Sequence, residues 1–374
     1  MSTLFFYGTL CHAPLLALVL GRAPGQGVRP ARLPGFHVSW AKGQPFPTIA
    51  ETAGGEAVGV LVTDLTKEEV ARLNFYEGGF SYDLHPVTVE TAQGPSKAEV
   101  YLPKPGLWQA GDDWNLDDWI GAYGEVTLLA AQEVMERFGK TSEDELGSLF
   151  PFIRARAWSR HMARKGAPRK LRTQRDVSDV ELLRDRPGYD GFFRIKAFDL
   201  QFRRYDGTMS AAMPRETFVA FDAALVLPYD PVTDQVLLIE QLRFGPIQRG
   251  DPFPWILEPI AGLVDAGEDP EEAARREAVE EANLHLREMR EMVRVYASPG
   301  YSTEFFHCFL GLCDLSDHKG GMGGLPSENE DIRSHVIPFG QAMALVDSGE
   351  VNAGPLAMMI LWLATRRDAL RNEA

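Results

Sequence analysis

Apolar and polar positions change period along the 374-residue chain, and the changes outline its elements. In roughly the first 105 residues, TLFFYGTL, GEAVGVLVTDL, HPVTVET and AEVYL are rich in β-branched and aromatic residues. Gly and Pro punctuate them, a pattern that predicts short strands. TKEEVARLNFY breaks the alternation and predicts one helix, with Thr66 as its cap. Over 115–165 the apolar residues take helical spacing, as in EVTLLAAQEVMERFG. Further on, FVAFDAALVLPYDPVTDQVLLIEQLRFG predicts two strands joined by a turn at Asp230–Asp234. A heavily charged helix follows, then the strands of VRVYASPGYSTEFFHCFLGLC, an acidic loop PSENED, and two helical stretches ending in PLAMMILWLATRRDAL. Strands and helices alternate loosely and no segment repeats, so the pattern predicts an α/β (α+β) protein of two domains.

Charge places the boundary. Nine Lys/Arg residues lie between Arg154 and Arg175 in a chain whose net charge is −15, and Gly166 and Pro168 punctuate them. This shift divides the chain into 1–167 and 168–374; the basic cluster itself reads as solvated surface or as an anion-binding patch. With 45% hydrophobic and 24% charged residues, both parts can bury a core. The acidic balance excludes a nucleic-acid binder, which needs a basic footprint. Cys11, Cys308 and Cys313 make neither a disulfide framework nor a C-x-x-C pair. The apolar start LFFYGTLCHAPLLALVLG lacks a basic leader and is broken by Gly8, His12 and Pro14, unlike a signal peptide. No apolar run reaches bilayer length, so a cytoplasmic protein without membrane partners is expected.

The charged helix carries the chemistry. GLVDAGEDPEEAARREAVEEANL, Gly262 to Leu284, holds eight carboxylates and two arginines in 23 residues. Asp269 suits an N-cap, Pro270 the first helical position, and Glu271 and Glu272 the positive end of the helix dipole. Glu277, Glu280 and Glu281 stand at i, i+3 and i+4 on one face, where like charges destabilise a helix. A solvated Glu-rich face is one reading; a Mg²⁺ or Mn²⁺ site built from carboxylate oxygens is the other. The wider spacing decides between them. Gly262, Glu268, Arg276–Glu277 and Glu280–Glu281 fall at the positions of the Nudix box, and the segment resembles that family of hydrolases. Asn283 departs from the pattern at the position where the family usually has Gly; just past a helix end the left-handed conformation is wanted, and Asn tolerates it next best. The resemblance implies a Nudix α/β/α sandwich, with Glu277 and Glu281 as main metal ligands, Glu280 as ligand or orienter, and the Ala261 carbonyl completing the shell. It also implies that Glu268 and Arg276 brace the loop and helix by an ion pair.

The flanks narrow the substrate. Pro299 lies 15 residues beyond Leu284, and LLIEQLRFG, EPIAGLVDAGE and SENEDIRSHVI are similar to the ADP-ribose pyrophosphatase branch. The string expected of NADH pyrophosphatases is absent. The resemblance implies Mg²⁺-dependent cleavage of ADP-ribose to AMP and ribose 5-phosphate. It assigns Arg243 to the phosphates and Arg215, Glu216 and Phe192 to the adenosine, often across a homodimer. Glu328, with Glu330 two residues on, matches the general base of the mobile loop. Hydrolysis of another nucleotide sugar such as GDP-mannose, or nucleotide sensing without cleavage, remains open.

In the first domain, FFYGTL sets a Gly turn directly after an apolar strand, an arrangement that can present backbone N–H groups to an anion. LNFYEGGFSYDLHPVTVE places Glu77 beside two glycines. Together they resemble the γ-glutamylcyclotransferase-like fold, a small mixed β-barrel with helices. The resemblance implies that the turn Tyr7, Gly8, Thr9 and Leu10 binds a γ-glutamyl carboxylate and that Glu77 moves a proton, or else that the domain only binds. The order of the two domains resembles bacterial proteins labelled tellurite-resistance proteins, a label that names a phenotype and no chemistry.

Overall fold

The computed structural model of the chain describes residues 1–78, 82–173, 175–325 and 329–374. The chain divides into two units, Met1–Gly166 and Ala167–Ala374.

The first unit contains β1 (Ser2–Phe6), α1 (Ala13–Leu20), β2 (Val28–Ala41), β3 (Pro47–Leu65), α2 (Lys67–Gly78), β4 (Tyr82–Thr91), β5 (Gly94–Pro103), β6 (Ala110–Asp113), α3 (Leu116–Trp119), α4 (Glu125–Met135) and α5 (Glu143–Ala163). Strand order is β3-β1-β5-β4-β2-β6, and β2 also pairs with β3, which closes five strands into a barrel. Only β1 and β5 run parallel in that ring. Period-2 alternation along β1 sets up two cores. Phe5 and Tyr7 pack with Leu33, Ile49, Leu61 and Val100. Leu4 and Phe6 pack instead with Leu15 and Val19 of α1, Leu73 of α2 and Trp119 of α3. The start of α2 is fixed by a capping box: the Glu69 N–H donates to Thr66 Oγ1 at 3.2 Å, and the Thr66 N–H to Glu69 Oε2 at 2.7 Å.

The second unit contains β7 (Val180–Asp190), β8 (Arg194–Phe202), β9 (Met213–Val219), β10 (Asp222–Asp230), β11 (Gln235–Leu242), α6 (Phe244–Arg249), β12 (Trp255–Glu258), β13 (Ile260–Leu263), α7 (Pro270–Ala282), β14 (Glu288–Tyr296), β15 (Phe305–Leu312), β16 (Gly321–Gly323), β17 (Ile332–Pro338), α8 (Phe339–Ser348), α9 (Gly354–Ala364) and α10 (Arg367–Glu373). The main sheet runs β14-β15-β10-β11-β17-β16, with β12 on β11 and β13 on β10. Leu225, Leu227 and Tyr229 of β10 pack against Leu356, Met359 and Ile360 of α9. Helix α7 lies against β10 and β13 through the fully buried Ala273, Ala274 and Ala278, whose short side chains permit close approach. The result is the mixed α/β architecture expected for this half. The turn joining β10 to β11 is tied by Asp230, whose carboxylate accepts from the Val232 and Thr233 N–H groups. A separate three-stranded antiparallel sheet, β7-β8-β9, had no counterpart in the apolar pattern, because β7 is exposed along nearly its whole length.

Candidate active sites

Helix α7 begins as its residues dictate. Asp269 accepts from the Glu271 N–H at 2.9 Å, and Pro270 occupies the first turn. It ends at Asn283, whose φ of 48° and ψ of 42° are left-handed. The last carbonyls of α7, which have no partner within the helix, are received from outside. Gly324 N–H donates to Glu280 O at 3.0 Å, and His318 Nε2 lies 3.0 Å from Ala282 O.

Arg276 stands among the carboxylates. It donates from Nε to Glu268 at 3.0 Å, and from Nη1 to Glu277 at 2.6 Å and Glu280 at 2.9 Å. The brace to Glu268 therefore exists, and the same guanidinium also neutralises two of the three clustered glutamates. Glu281 turns the other way. It is 2% exposed and accepts from the Ala261 N–H at 3.1 Å. Burial pushes its carboxyl up to about 9, against the Ala261 hydrogen bond, with Glu277 and Glu330 adding to the rise. Burial likewise pushes Glu277 up to about 7, against the pull of Arg276, with Glu280 and Glu330 raising it further. Glycines give these groups their room: a Cβ on Gly262 would overlap the Glu277 carboxylate, and one on Gly323 the Glu281 carbonyl.

Among the described residues no three His, Cys, Asp or Glu side chains already stand in metal-holding geometry. The donor set nevertheless fits a hard divalent cation. It is all oxygen, and its two most buried carboxyls are raised because their negative charge is poorly compensated.

Other expected residues fall at different distances from this cluster. Arg243 donates to Glu258 at 2.7 Å and favours the charged forms of Glu281 and Glu304, so it belongs to the same electrostatic neighbourhood. Glu330 belongs there too, raising Glu277 and Glu281 while its own carboxylate accepts from the Leu325 N–H at 3.0 Å. Glu328 lies outside the described residues. Arg215, Glu216 and Phe192 lie instead on or beside the β7-β8-β9 sheet. Arg215 donates to the Pro214 carbonyl, Glu216 faces Arg186 at 4.0 Å, and the half-exposed Phe192 meets Phe193 edge-on. Sequence reasoning passed over Glu258 and Glu304, both raised by burial. Glu258 could have been found from its place three residues before Ala261, where the strand leads into the cluster.

In the first unit, Tyr7, Gly8, Thr9, Leu10 and Glu77 all line one cavity of about 150 Å³. The chain turns sharply at Gly8, with Cys11 N–H donating to Gly8 O at 3.0 Å; a Cβ there would sit 2.9 Å from Pro47 Cγ. Glu77 lies in the last turn of α2, and burial in the cavity wall pushes its carboxyl up to about 7. Tyr7, Tyr76, Tyr82 and Tyr101 surround it, each held well above the usual phenol range by burial first and by the Glu77 charge among the further causes. A carboxyl poised near neutrality in an aromatic cavity can take up and release a proton.

Comparison with known proteins gives two family matches. The family described as "Gamma-glutamyl cyclotransferase, AIG2-like" matches residues 4–120, and the NUDIX domain matches residues 220–356. The chain is 38% identical over 196 residues to the ADP-ribose pyrophosphatase of Escherichia coli strain K12, an alignment covering 52% of this chain and 93% of that protein. It is 36% identical over 187 residues to the ADP-ribose pyrophosphatase of Haemophilus influenzae, covering 50% and 86%. It is 30% identical over 189 residues to the GDP-mannose pyrophosphatase of Escherichia coli strain HS, covering 50% and 97%.

Proposed function

The chain belongs to the Nudix hydrolases through its second unit and carries a γ-glutamyl cyclotransferase-like domain ahead of it, and from this we propose that the second unit cleaves the pyrophosphate of ADP-ribose to AMP and ribose 5-phosphate with Mg²⁺. The observation that carries the reading is the pairing of Glu277 and Glu281, one half-buried and one buried carboxyl, both raised by burial, with Glu281 held to strand β13 by the Ala261 N–H. Glu277, Glu281 and the Ala261 carbonyl would hold Mg²⁺ or Mn²⁺, with Glu280 as a further ligand or an orienting group. A bound divalent cation polarises the pyrophosphate and lowers the pKa of water.

The chain's own residues do the rest. Arg276 keeps Glu277 and Glu280 at fixed positions on α7 and ties them to the loop through Glu268. Arg243, oriented by Glu258, offers its guanidinium to phosphate oxygens. Glu328 accepts the proton of the attacking water, with Glu330 as the neighbouring carboxylate. Phe192, Arg215 and Glu216 hold the adenosine from the three-stranded sheet. That sheet exposes Leu182, Tyr189, Phe192, Phe193 and Ile195, each at least 40% accessible. An apolar surface of this kind favours a homodimer in which one subunit completes the other's site. A cytoplasmic location accords with the finding that, among the described residues, no helix is long and apolar enough to cross a membrane.

The first unit is proposed to bind a γ-glutamyl compound, its carboxylate at the turn Tyr7–Leu10, and to form a cyclic lactam while Glu77 relays the proton. A second reading for the Nudix unit, cleavage of GDP-mannose, is favoured by the 30% identity to a GDP-mannose pyrophosphatase. Purified protein with Mg²⁺ and a panel of nucleotide sugars separates the two. AMP release from ADP-ribose is expected to exceed release of nucleoside monophosphate from every other substrate, and Glu277→Gln to lower it at least roughly 100-fold. Faster cleavage of GDP-mannose would overturn the assignment, and wild-type binding of ADP-ribose without cleavage would make the unit a sensor.

A further inference from the structure

The last three carbonyls of α7, on Glu280, Glu281 and Ala282, lie beyond Val279 O, which takes the Asn283 N–H at 2.9 Å. All three meet one stretch of chain, 318–324. Gly324 N–H donates to Glu280 O at 3.0 Å. Gly323 passes so close to Glu281 O that a Cβ would stand 1.9 Å from it. His318 completes the set at Ala282 O, 3.0 Å from its Nε2. The chain itself selects the tautomer of that ring. Gly320 N–H donates to Nδ1 at 3.2 Å, so the ring hydrogen sits on Nε2 and is donated to Ala282 O. The stretch is also anchored on its other side. Leu315 N–H donates to the buried Asp230 carboxylate at 3.1 Å, and β16 pairs in register with Ser334, Arg333 and Ile332 of β17.

This stretch joins two groups of residues that the hydrolysis needs together. Glu280 and Glu281 direct their side chains to the carboxylate cluster while their main-chain oxygens lie against 318–324. One residue past Gly324, Leu325 N–H donates to the Glu330 carboxylate at 3.0 Å, and the Glu330 charge is felt at Glu277 and Glu281. Glu328, the base assigned above, stands three residues after Leu325 in the sequence. We propose that His318 is a positioning residue for the pyrophosphate cleavage, holding 318–324 on the carbonyl end of α7 and so setting the acidic stretch 328–330 against the cation ligands. It touches neither substrate nor cation and acts through Gly320, Gly324 and Leu325. The inference deepens the pyrophosphatase reading given above and rests on it. A histidine suits the task because its ring offers an acceptor and a donor on opposite edges; phenylalanine offers neither, and the glutamine amide offers both.

The test uses the full-length protein with ADP-ribose and saturating Mg²⁺. His318→Phe is expected to lower kcat for AMP release roughly 10- to 100-fold, the scale of a reacting group displaced by about 1 Å. KM and the Mg²⁺ dissociation constant, read by calorimetry, should stay within about twofold, since ground-state contacts are untouched. His318→Gln should recover most of the loss. Hydrogen exchange read by mass spectrometry reports on the anchor without turnover. Mg²⁺ should slow exchange in both α7 and 319–325 of the wild type, but in α7 alone in His318→Phe. An unchanged kcat in His318→Phe, a loss carried equally by KM or Mg²⁺ affinity, or a His318→Gln as impaired as His318→Phe overturns the proposal. So does a response of 319–325 to Mg²⁺ that is the same in wild type and His318→Phe. Should His318→Phe not fold, His318→Ala is judged by the same split between kcat and KM. If the wild type leaves ADP-ribose intact, the pyrophosphatase reading fails, and the exchange comparison still decides whether His318 links α7 to 319–325.

Discussion

Glu281→Gln separates what the carboxylate cluster does for the fold from what it does for chemistry. The amide keeps the shape of the side chain and can still accept the 3.1 Å hydrogen bond from the Ala261 N–H, but it cannot ionise. In the unfolded chain a glutamate ionises above about 4.5, whereas in the fold, without a cation, Glu281 holds its proton to about 9. The folded state therefore binds a proton that the unfolded state has released, and its stability falls as pH rises through that window. The loss is about 1.4 kcal/mol per pH unit, so at pH 7 the buried carboxyl costs about 3 kcal/mol. Glu281→Gln removes this cost. In EDTA at pH 7 the variant's second unit should be more stable than the wild type by about 2–3 kcal/mol, or roughly 6–10 °C for a unit of this size. The difference should vanish below about pH 3.5, where the carboxyl is protonated in both states. Mg²⁺ should reverse the order by stabilising the wild type alone, and AMP release should fall at least roughly 100-fold in the variant. Calorimetry across about pH 3.5–8, with and without Mg²⁺, reads all of this. A variant less stable than the wild type in EDTA at pH 7, or equal stabilisation of both proteins by Mg²⁺, would refute the reasoning.

Three further outcomes follow from the geometry. Gly262→Ala puts a methyl into the Glu277 carboxylate, so Mg²⁺-dependent turnover should drop roughly 10- to 100-fold while the circular dichroism spectrum is retained. Because burial raises Glu77 to about 7 and a base acts when ionised, γ-glutamyl turnover should climb with pH through about 7 and disappear in Glu77→Gln; a flat profile across pH 6–8 would remove Glu77 from the reaction. Tyr189→Glu with Phe193→Glu charges the apolar surface of the three-stranded sheet and should convert a dimer to monomers by light scattering, leaving the first unit's cavity untouched.

The parts legible in the sequence are those set by neighbours a few residues apart. Asp269 and Pro270 announce the start of α7, its alanines announce the buried face, and Asn283 takes the left-handed φ that the position needs. The apolar runs of β10 and β11 were equally plain, because both strands are buried along most of their length. What the sequence concealed depends on distant partners. β7 carries charged and apolar residues without period because its strand pairing is made by backbone groups, not by a buried face. The pairing of Glu268 with Arg276 could be anticipated from the box pattern, yet the reach of the same guanidinium to Glu277 and Glu280 could not, since both carboxylates were expected to look towards a cation. The far wall of the cavity was hidden for the same reason: Gly8 and Arg154 are brought to one cavity by the packing of α5 on α4, which no local pattern encodes.

Glu77 and Glu281 are raised by the same cause, burial, and the height of the rise separates their uses. A carboxyl near 7 exchanges its proton freely at neutral pH, so Glu77 needs nothing but a dry cavity and a correctly placed amine to serve as a relay. A carboxyl near 9 stays protonated at neutral pH and is no ligand until something displaces that proton. Binding of a cation at Glu281, as proposed, would therefore release a proton, and affinity would rise with pH until the carboxyl is ionised without help. Arg276 keeps the competing charge on Glu277 and Glu280 in check meanwhile, which allows one helix to carry three glutamates on a single face before any cation arrives. The crowding that local rules count against α7 is thus offset within the protein by one arginine, and the remaining deficit, concentrated on the most buried of the three, is what a divalent cation would relieve.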